Sequence, residues 1–242
     1  MHTITLECSP EQQSALDRYR QARTQFESAR DTVVRITDDL GKHQKAAEAA
    51  DSEAQAARLE AATLMRDTAT PMKKIHDLKA KERAAYTLAE DYRSIVSEVQ
   101  LALDEATLNA GIAKREEGAA YSGVVSSYAE GLMRQAAKEL APLCKAVHVL
   151  ELSLQRQASP AGAEWEKLGY EKAIDAALAK VYAVVRNSVI NSQFDPSEDA
   201  FMQSAARPNG LAQFETVSAI KEHNQRVTLA RQAKQLRNGP TQ

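Results

Sequence analysis

Between residues 16 and 40 the apolar side chains of this chain fall on one line. Leu16, Tyr19, Ala22, Phe26, Ala29, Val33, Ile36 and Leu40 follow at spacings of 3, 3, 4, 3, 4, 3 and 4. A seam with that period fits only a long helix laid along another helix. Its start is written just upstream. Ser9 takes the N-cap, Pro10 the first helical position and Gln12 the third, which makes a capping box. Gly41 is expected to bend or interrupt the helix. The stretch KAAEAADSEAQAARLEAATLMRD continues as helix by propensity, but it has almost no large apolar side chains. It therefore needs a neighbour that comes close, and alanine permits that.

A second seam follows TATP, where Thr70 is placed to cap a helix with Pro71 at its first position. Ile75, Leu78, Glu82, Ala85, Leu88, Tyr92, Ile95, Val99, Ala102 and Ala106 again step by 3 and 4, with Glu82 the one polar intrusion. Two such seams joined by a short turn predict an antiparallel coiled-coil hairpin, here a shaft over residues 9–117. Its alanine faces invite further helices from a second copy of the chain. Composition agrees with an all-α, fibrous reading: 43 alanines stand against four phenylalanines and one tryptophan.

Gly111, Gly118 and Gly123 weaken the helix, so 111–123 reads as a hinge. A smaller helical domain is expected over 118–206. Pro142 marks a kink or restart there, and SPAGAE is a loop. Trp165, Leu168, Ile174, Leu178, Val181, Val185 and Ile190 are read as one broad buried face of a continuous helix. Asp195, with Glu198 three residues on, is read as the cap of another short helix. After the turn ARPNG, a last helix is expected from Leu211 to Leu236, stopped by Asn-Gly-Pro, within a third region of 207–242. No segment reads as a strand.

Catalytic patterns are missing. The chain has no phosphate-binding loop, no dinucleotide fingerprint, no His-Glu-x-x-His and no nucleophile elbow. His2, His43, His76, His148 and His223 are scattered, and His148 reads as a core or interface residue. Asp38–Asp39 and Glu116–Glu117 are neighbours on a helix, about 100° apart, and read as solvated faces. Cys8 and Cys144 form no CxxC or His/Cys cluster, which suits a reducing compartment and argues against zinc. The reading is of a non-enzyme with no metal and no cofactor. The first residues carry no signal-peptide pattern, and no apolar run is long enough to span a bilayer.

The formal net charge is −2, but it is uneven. Residues 1–117 carry 17 basic and 21 acidic side chains, whereas 207–242 carry six and two. In RVTLARQAKQLRNGPTQ, Leu229, Ala233 and Leu236 fall within about 60° of one another at 100° per residue. Arg226, Arg231, Lys234 and Arg237 fill an adjacent arc of about 140°. With no aromatic residue between these cations, specific nucleic-acid binding is disfavoured. Without Trp or Phe near the tip, so is membrane docking. Docking on another protein needs only a few anchors and complementary charge, and is preferred.

Three segments carry a family resemblance. EQQSALDRYRQARTQFESA resembles the opening coiled-coil helix of the polarity suppression (Psu) family of satellite phages. RQAAKELAPL resembles its central helix. ARPNGLAQFE followed by NQRVTLARQAKQLRN resembles its ending, an Arg-Pro turn, a short spacer and a basic helix. The chain is longer than the family pattern in the shaft and around residues 145–165. The resemblance implies an all-helical, intertwined homodimer that binds the bacterial transcription termination factor Rho through its C-terminal region. Binding would block Rho's ATPase cycle or RNA movement, in the cytoplasm of a bacterial host. It also implies attachment to phage capsids, so that a virion-associated capsid decoration or scaffold protein is the alternative. On this resemblance Arg207, Pro208, Phe214, Arg226, Arg231, Lys234 and Arg237 are the expected partner-binding residues. Pro208 and Phe214 would position the helix, and the cations would meet acids on Rho. Leu16, Tyr19, Phe26, Val33, Ile36, Leu40, Leu78, Leu88, Tyr92, Ile95 and Val99 are the expected dimer or coiled-coil residues.

Overall fold

The computed structural model describes residues 8–66, 71–157 and 163–238, and among these the only regular secondary structure is helical, with no strand. Two long helices, α1 (Pro10–Leu64) and α2 (Met72–Lys138), pack together. They are followed by α3 (Ala141–Arg156), α4 (Glu164–Lys167), α5 (Ala173–Asn191), α6 (Ala200–Ser204), a 3₁₀ turn (Leu211–Gln213) and α7 (Ala219–Asn238). The capping box at the start of α1 forms as expected. Ser9 Oγ accepts from the Gln12 amide at 3.2 Å, and Gln12 Oε1 accepts from the Ser9 amide at 2.9 Å. Thr70, residues 159–162 of the SPAGAE loop and the Gly239–Pro240 stop lie outside the described residues, while Glu164 already begins α4.

The chain divides into two compact units. One joins residues up to Arg18 with Tyr121–Ala206, and the other joins Tyr19–Ala120 with the residues from Arg207 onward.

In the second unit the α1 seam is buried or half-buried without a break from Tyr19 to Leu64. Past Leu40 it continues as His43, Ala47, Ala50, Ala54, Ala57, Ala61 and Leu64, still in steps of 3 and 4. Gly41 does not interrupt it. One glycine costs a helix about 1 kcal/mol, and packing along 55 residues outweighs that.

On α2 the expected seam is off by one position in places. The covered line is Ile75, Leu78, Glu82, Ala85, Ala89, Tyr92, Val96, Val99, Leu103, Ala106, Ala110, Ala113 and Glu117. Leu88 and Ile95 are exposed instead. The reason is local. Residues 43–53 of α1 face residues 81–93 of α2, through the His43–Tyr92 ring contact at 6.2 Å, the Asp51–Arg93 ion pair and Glu53–Lys81 at 3.0 Å. Alanine lines α1 there, and a small Ala89 lets the helices approach, while the bulkier Leu88 flanks the contact. Glu82 is half-buried and receives Lys79 at 2.6 Å. The expected hinge at 111–123 is absent too, since α2 runs on to Lys138.

In the first unit Gln12, Ala15, Leu16, Val124 and Tyr128 are buried. The α3 helix restarts with Pro142 in its first turn and packs on α5, Val147 and Leu154 meeting Ala173, Ala176 and Ala177. The expected continuous helix from Trp165 is broken. Gly169 turns left-handed at φ 82°, so α4 ends and α5 starts afresh. As a result Trp165, Ile174 and Val181 are half-buried, whereas Leu168, Leu178, Val185 and Ile190 are exposed. The expected cap at Asp195 is displaced as well. Asp195 closes its own turn by accepting from the Ser197 amide at 2.8 Å, and Asp199 caps α6 by accepting from the Met202 amide at 2.9 Å.

The other oxygen of Asp199 accepts from the Tyr128 hydroxyl at 2.6 Å, and the Tyr128 ring stacks on Phe201 at 4.2 Å. Burial first, then the Asp199 carboxylate, pushes the Tyr128 pKa up to about 12. An unfolded tyrosine titrates at about 10. The stability this group contributes is therefore intact below pH ~10 and lost as pH rises through about 12. An absorbance titration at 295 nm is expected to show a late phenolate step, and Tyr128→Phe is expected to remove it.

Candidate docking surface at the C-terminal helix

The last expected helix does not begin at Leu211. After the 3₁₀ turn Phe214 is extended and residues 215–217 form no helix, and Ser218 starts α7 by accepting from the Lys221 amide at 3.3 Å. The segment from Asn209 to Val217 is fastened to α1 and α2 by three cations that sequence reading did not single out. Arg30 donates to the Asn209 carbonyl at 3.0 Å, Lys114 to the Phe214 carbonyl at 2.6 Å, and Arg115 to the Val217 carbonyl at 2.8 Å. A segment outside a helix has backbone carbonyls with no helical partner, and these side chains supply the donors.

Side chains complete the clasp. Arg207 grips Glu117 with both arms, Nε to Oε1 at 3.0 Å and Nη2 to Oε2 at 2.5 Å. Glu117 is fully buried, which corrects the expectation of a solvated Glu116–Glu117 pair. A buried carboxylate needs such a bidentate partner. Pro208 is buried. Phe214 is buried and meets Phe26 edge-on, with ring centroids 5.8 Å apart. Arg207, Pro208 and Phe214 are thus engaged inside the chain. His148 is exposed rather than in a core, with Nδ1 3.6 Å from Glu151.

Gly111 is the seat of the clasp, not a hinge. A Cβ there would lie 2.5 Å from Val217 Cγ2 and 2.8 Å from the Glu215 carbonyl oxygen. Backbone cannot yield as a side-chain tip can, so Gly111→Val is expected to lift residues 215–217 and cost about 1–3 kcal/mol. Hydrogen exchange is the measurement: α7 amides should lose protection while those of residues 20–60 keep theirs.

Along α7, Glu222, Gln225, Leu229 and Ala233 are half-buried, and Leu236 is more exposed. Glu222 receives Arg115 at 3.2 Å and Arg226 at 3.3 Å, so Arg226 is drawn to its own helix. Two open clefts of mixed polar and apolar lining lie between α2 and the C-terminal segment. The nearer, about 470 Å³, includes Asp104, Thr107, Lys221 and Gln225 in its lining. The farther, about 880 Å³, includes Ser97, Gln100, Gln232 and Gln235. Gln225 Oε1 is buried with no hydrogen-bond partner among the described residues. Arg231, Lys234 and Arg237 are exposed, and none makes an ion pair among the described residues.

The arrangement roots α7 on α1 and α2 and leaves Arg231, Lys234 and Arg237 exposed, with no ion pair among the described residues. Among the described residues no group of three His, Cys, Asp or Glu gathers to hold a metal ion, and no helix is long and apolar enough to cross a membrane. Set against protein-family models, curated proteins and solved structures, the chain matches none.

Proposed function

We propose that this chain inhibits the bacterial transcription termination factor Rho by direct protein–protein binding through α7, with no catalysis of its own. One observation carries the reading: Arg231, Lys234 and Arg237 stand exposed, with no ion pair among the described residues, on a helix whose root is pinned by Arg207, Phe214, Lys114 and Arg115. Cations held out on an ordered element lose little further freedom on docking, which favours recognition of an acidic protein surface. The resemblance of this same segment to the ending of the polarity suppression family supplies Rho as the partner.

In the proposed mechanism α7 meets acidic residues of Rho and blocks its ATPase cycle or its movement along RNA. The long helices serve as an antiparallel hairpin. This is supported by partners that rise on α2 as they fall on α1, Glu53 with Lys81 and His43 with Tyr92, and by Phe26 sharing a cluster with Ala110 and Ala113. The active species in this proposal is a homodimer in the cytoplasm of a bacterial host.

Titration calorimetry with purified Rho tests the binding step. Saturable binding is expected, with an affinity that weakens as salt is raised, because the contact is charge-steered. No heat and no complex at tens of micromolar would contradict it. Binding to capsid shells with indifference to Rho would favour the capsid-decoration alternative.

A further inference from the structure

The second half of α5 has no cover among the described residues. Every residue from Tyr182 to Asn191 is exposed. Leu178, Tyr182, Val185 and Val189 step by 4, 3 and 4 along one face, and Ile190 and Phe194 extend the apolar surface. Tyr182 is 68 % and Phe194 65 % exposed. A helix apolar on several sides is a helix that is buried somewhere.

We propose that this stripe is where a second copy of the chain docks, α5 against α5. Three observations select that occupant. The 3/4 spacing is the pattern that pairs a helix with another like itself, and a two-fold axis through the stripe makes it self-complementary. Lys180 and Arg186 are the only charged residues between Ala176 and Phe194. Such depletion marks the core of an interface rather than a solvated or membrane-steered face. The six side chains leave roughly 600 Å² in solvent, close to the ~800 Å² that each partner gives a standard interface. The shaft seam is not free for this task, since Tyr19, Phe26 and Leu40 are already buried within one chain.

The inference deepens the homodimer of the proposed function and rests on that reading for the number of chains, but not on Rho. The test is mass by light scattering at about 20 µM, a concentration at which a dimer with Kd near 1 µM is mostly assembled. The full chain should give twice 26.5 kDa, and Tyr182→Glu with Val189→Glu should give 26.5 kDa with unchanged helical circular dichroism. A one-chain mass for the unaltered protein would overturn both the dimer and this surface. A two-chain mass for the double variant would overturn the surface alone.

Should the double variant unfold, cross-linking decides. Val185→Cys, with Cys8→Ser and Cys144→Ser, should oxidise to a covalent dimer. Leu59→Cys in the same background should not, although Leu59 is 69 % exposed. The reverse pattern would overturn the proposal. Rho takes no part in any of these measurements.

Discussion

Replacing Arg207 by alanine is expected to loosen the C-terminal helix and to destabilise its unit by about 2–4 kcal/mol in urea melts. Glu117 is buried completely, and Arg207 Nε and Nη2 meet its two oxygens. Losing the partner of a buried charge costs about 3–5 kcal/mol, and the lower figure allows for the water that reaches Arg207, 43 % exposed in its side chain. Replacing both residues by leucine should restore most of that loss, because an apolar pair pays no desolvation cost. The pair of variants also separates two roles for Arg207. If it positions α7, the double leucine variant regains Rho binding. If it touches Rho, binding stays lost although stability returns.

The second large effect is expected at the tip. Arg231→Ala, Lys234→Ala and Arg237→Ala together should leave the melting curve within about 0.5 kcal/mol of the parent, since these side chains are exposed and hold no ion pair among the described residues. Binding to Rho should weaken by at least ~30-fold, the equivalent of about 2 kcal/mol shared over three charges. The remaining affinity should depend less on salt. The two experiments pull apart what a single tail deletion would confound: one removes the root and keeps the charges, the other removes the charges and keeps the root.

The helical class and the α1 seam were legible because period 3.5 is a local property, repeated from Tyr19 to Leu40 and continued by alanines to Leu64. The α2 seam was legible only in part. Choosing the largest apolar residue at each step selects Leu88 and Ile95, whereas close approach to an alanine-lined helix selects Ala89 and Val96. A stricter alternation of 3 and 4 from Ile75 passes through Ala89 and ends on Glu117, which would have flagged that carboxylate as buried. Glycine misled at Gly41 and Gly111 for the same reason. Its intrinsic cost is about 1 kcal/mol, small beside packing along a long helix, and at Gly111 it is outweighed by a seat for Val217.

The clasp itself was not legible. Arg207 and Glu117 lie 90 residues apart, and Lys114 and Arg115 serve backbone carbonyls whose need for donors appears only once residues 214–217 stand outside a helix. Of the tail, the amphipathic helix with its outward Arg231, Lys234 and Arg237 could be read directly. That Phe214 is seated on Phe26 follows from no local pattern.

Transcription through a Rho-dependent terminator in vitro is the decisive assay for inhibition of Rho. With Rho fixed and this protein titrated, readthrough is expected to rise with dose, to be absent with the Arg231, Lys234 and Arg237 triple variant, and to leave intrinsic terminators unaffected. Termination unchanged at large molar excess of the folded protein would contradict inhibition of Rho.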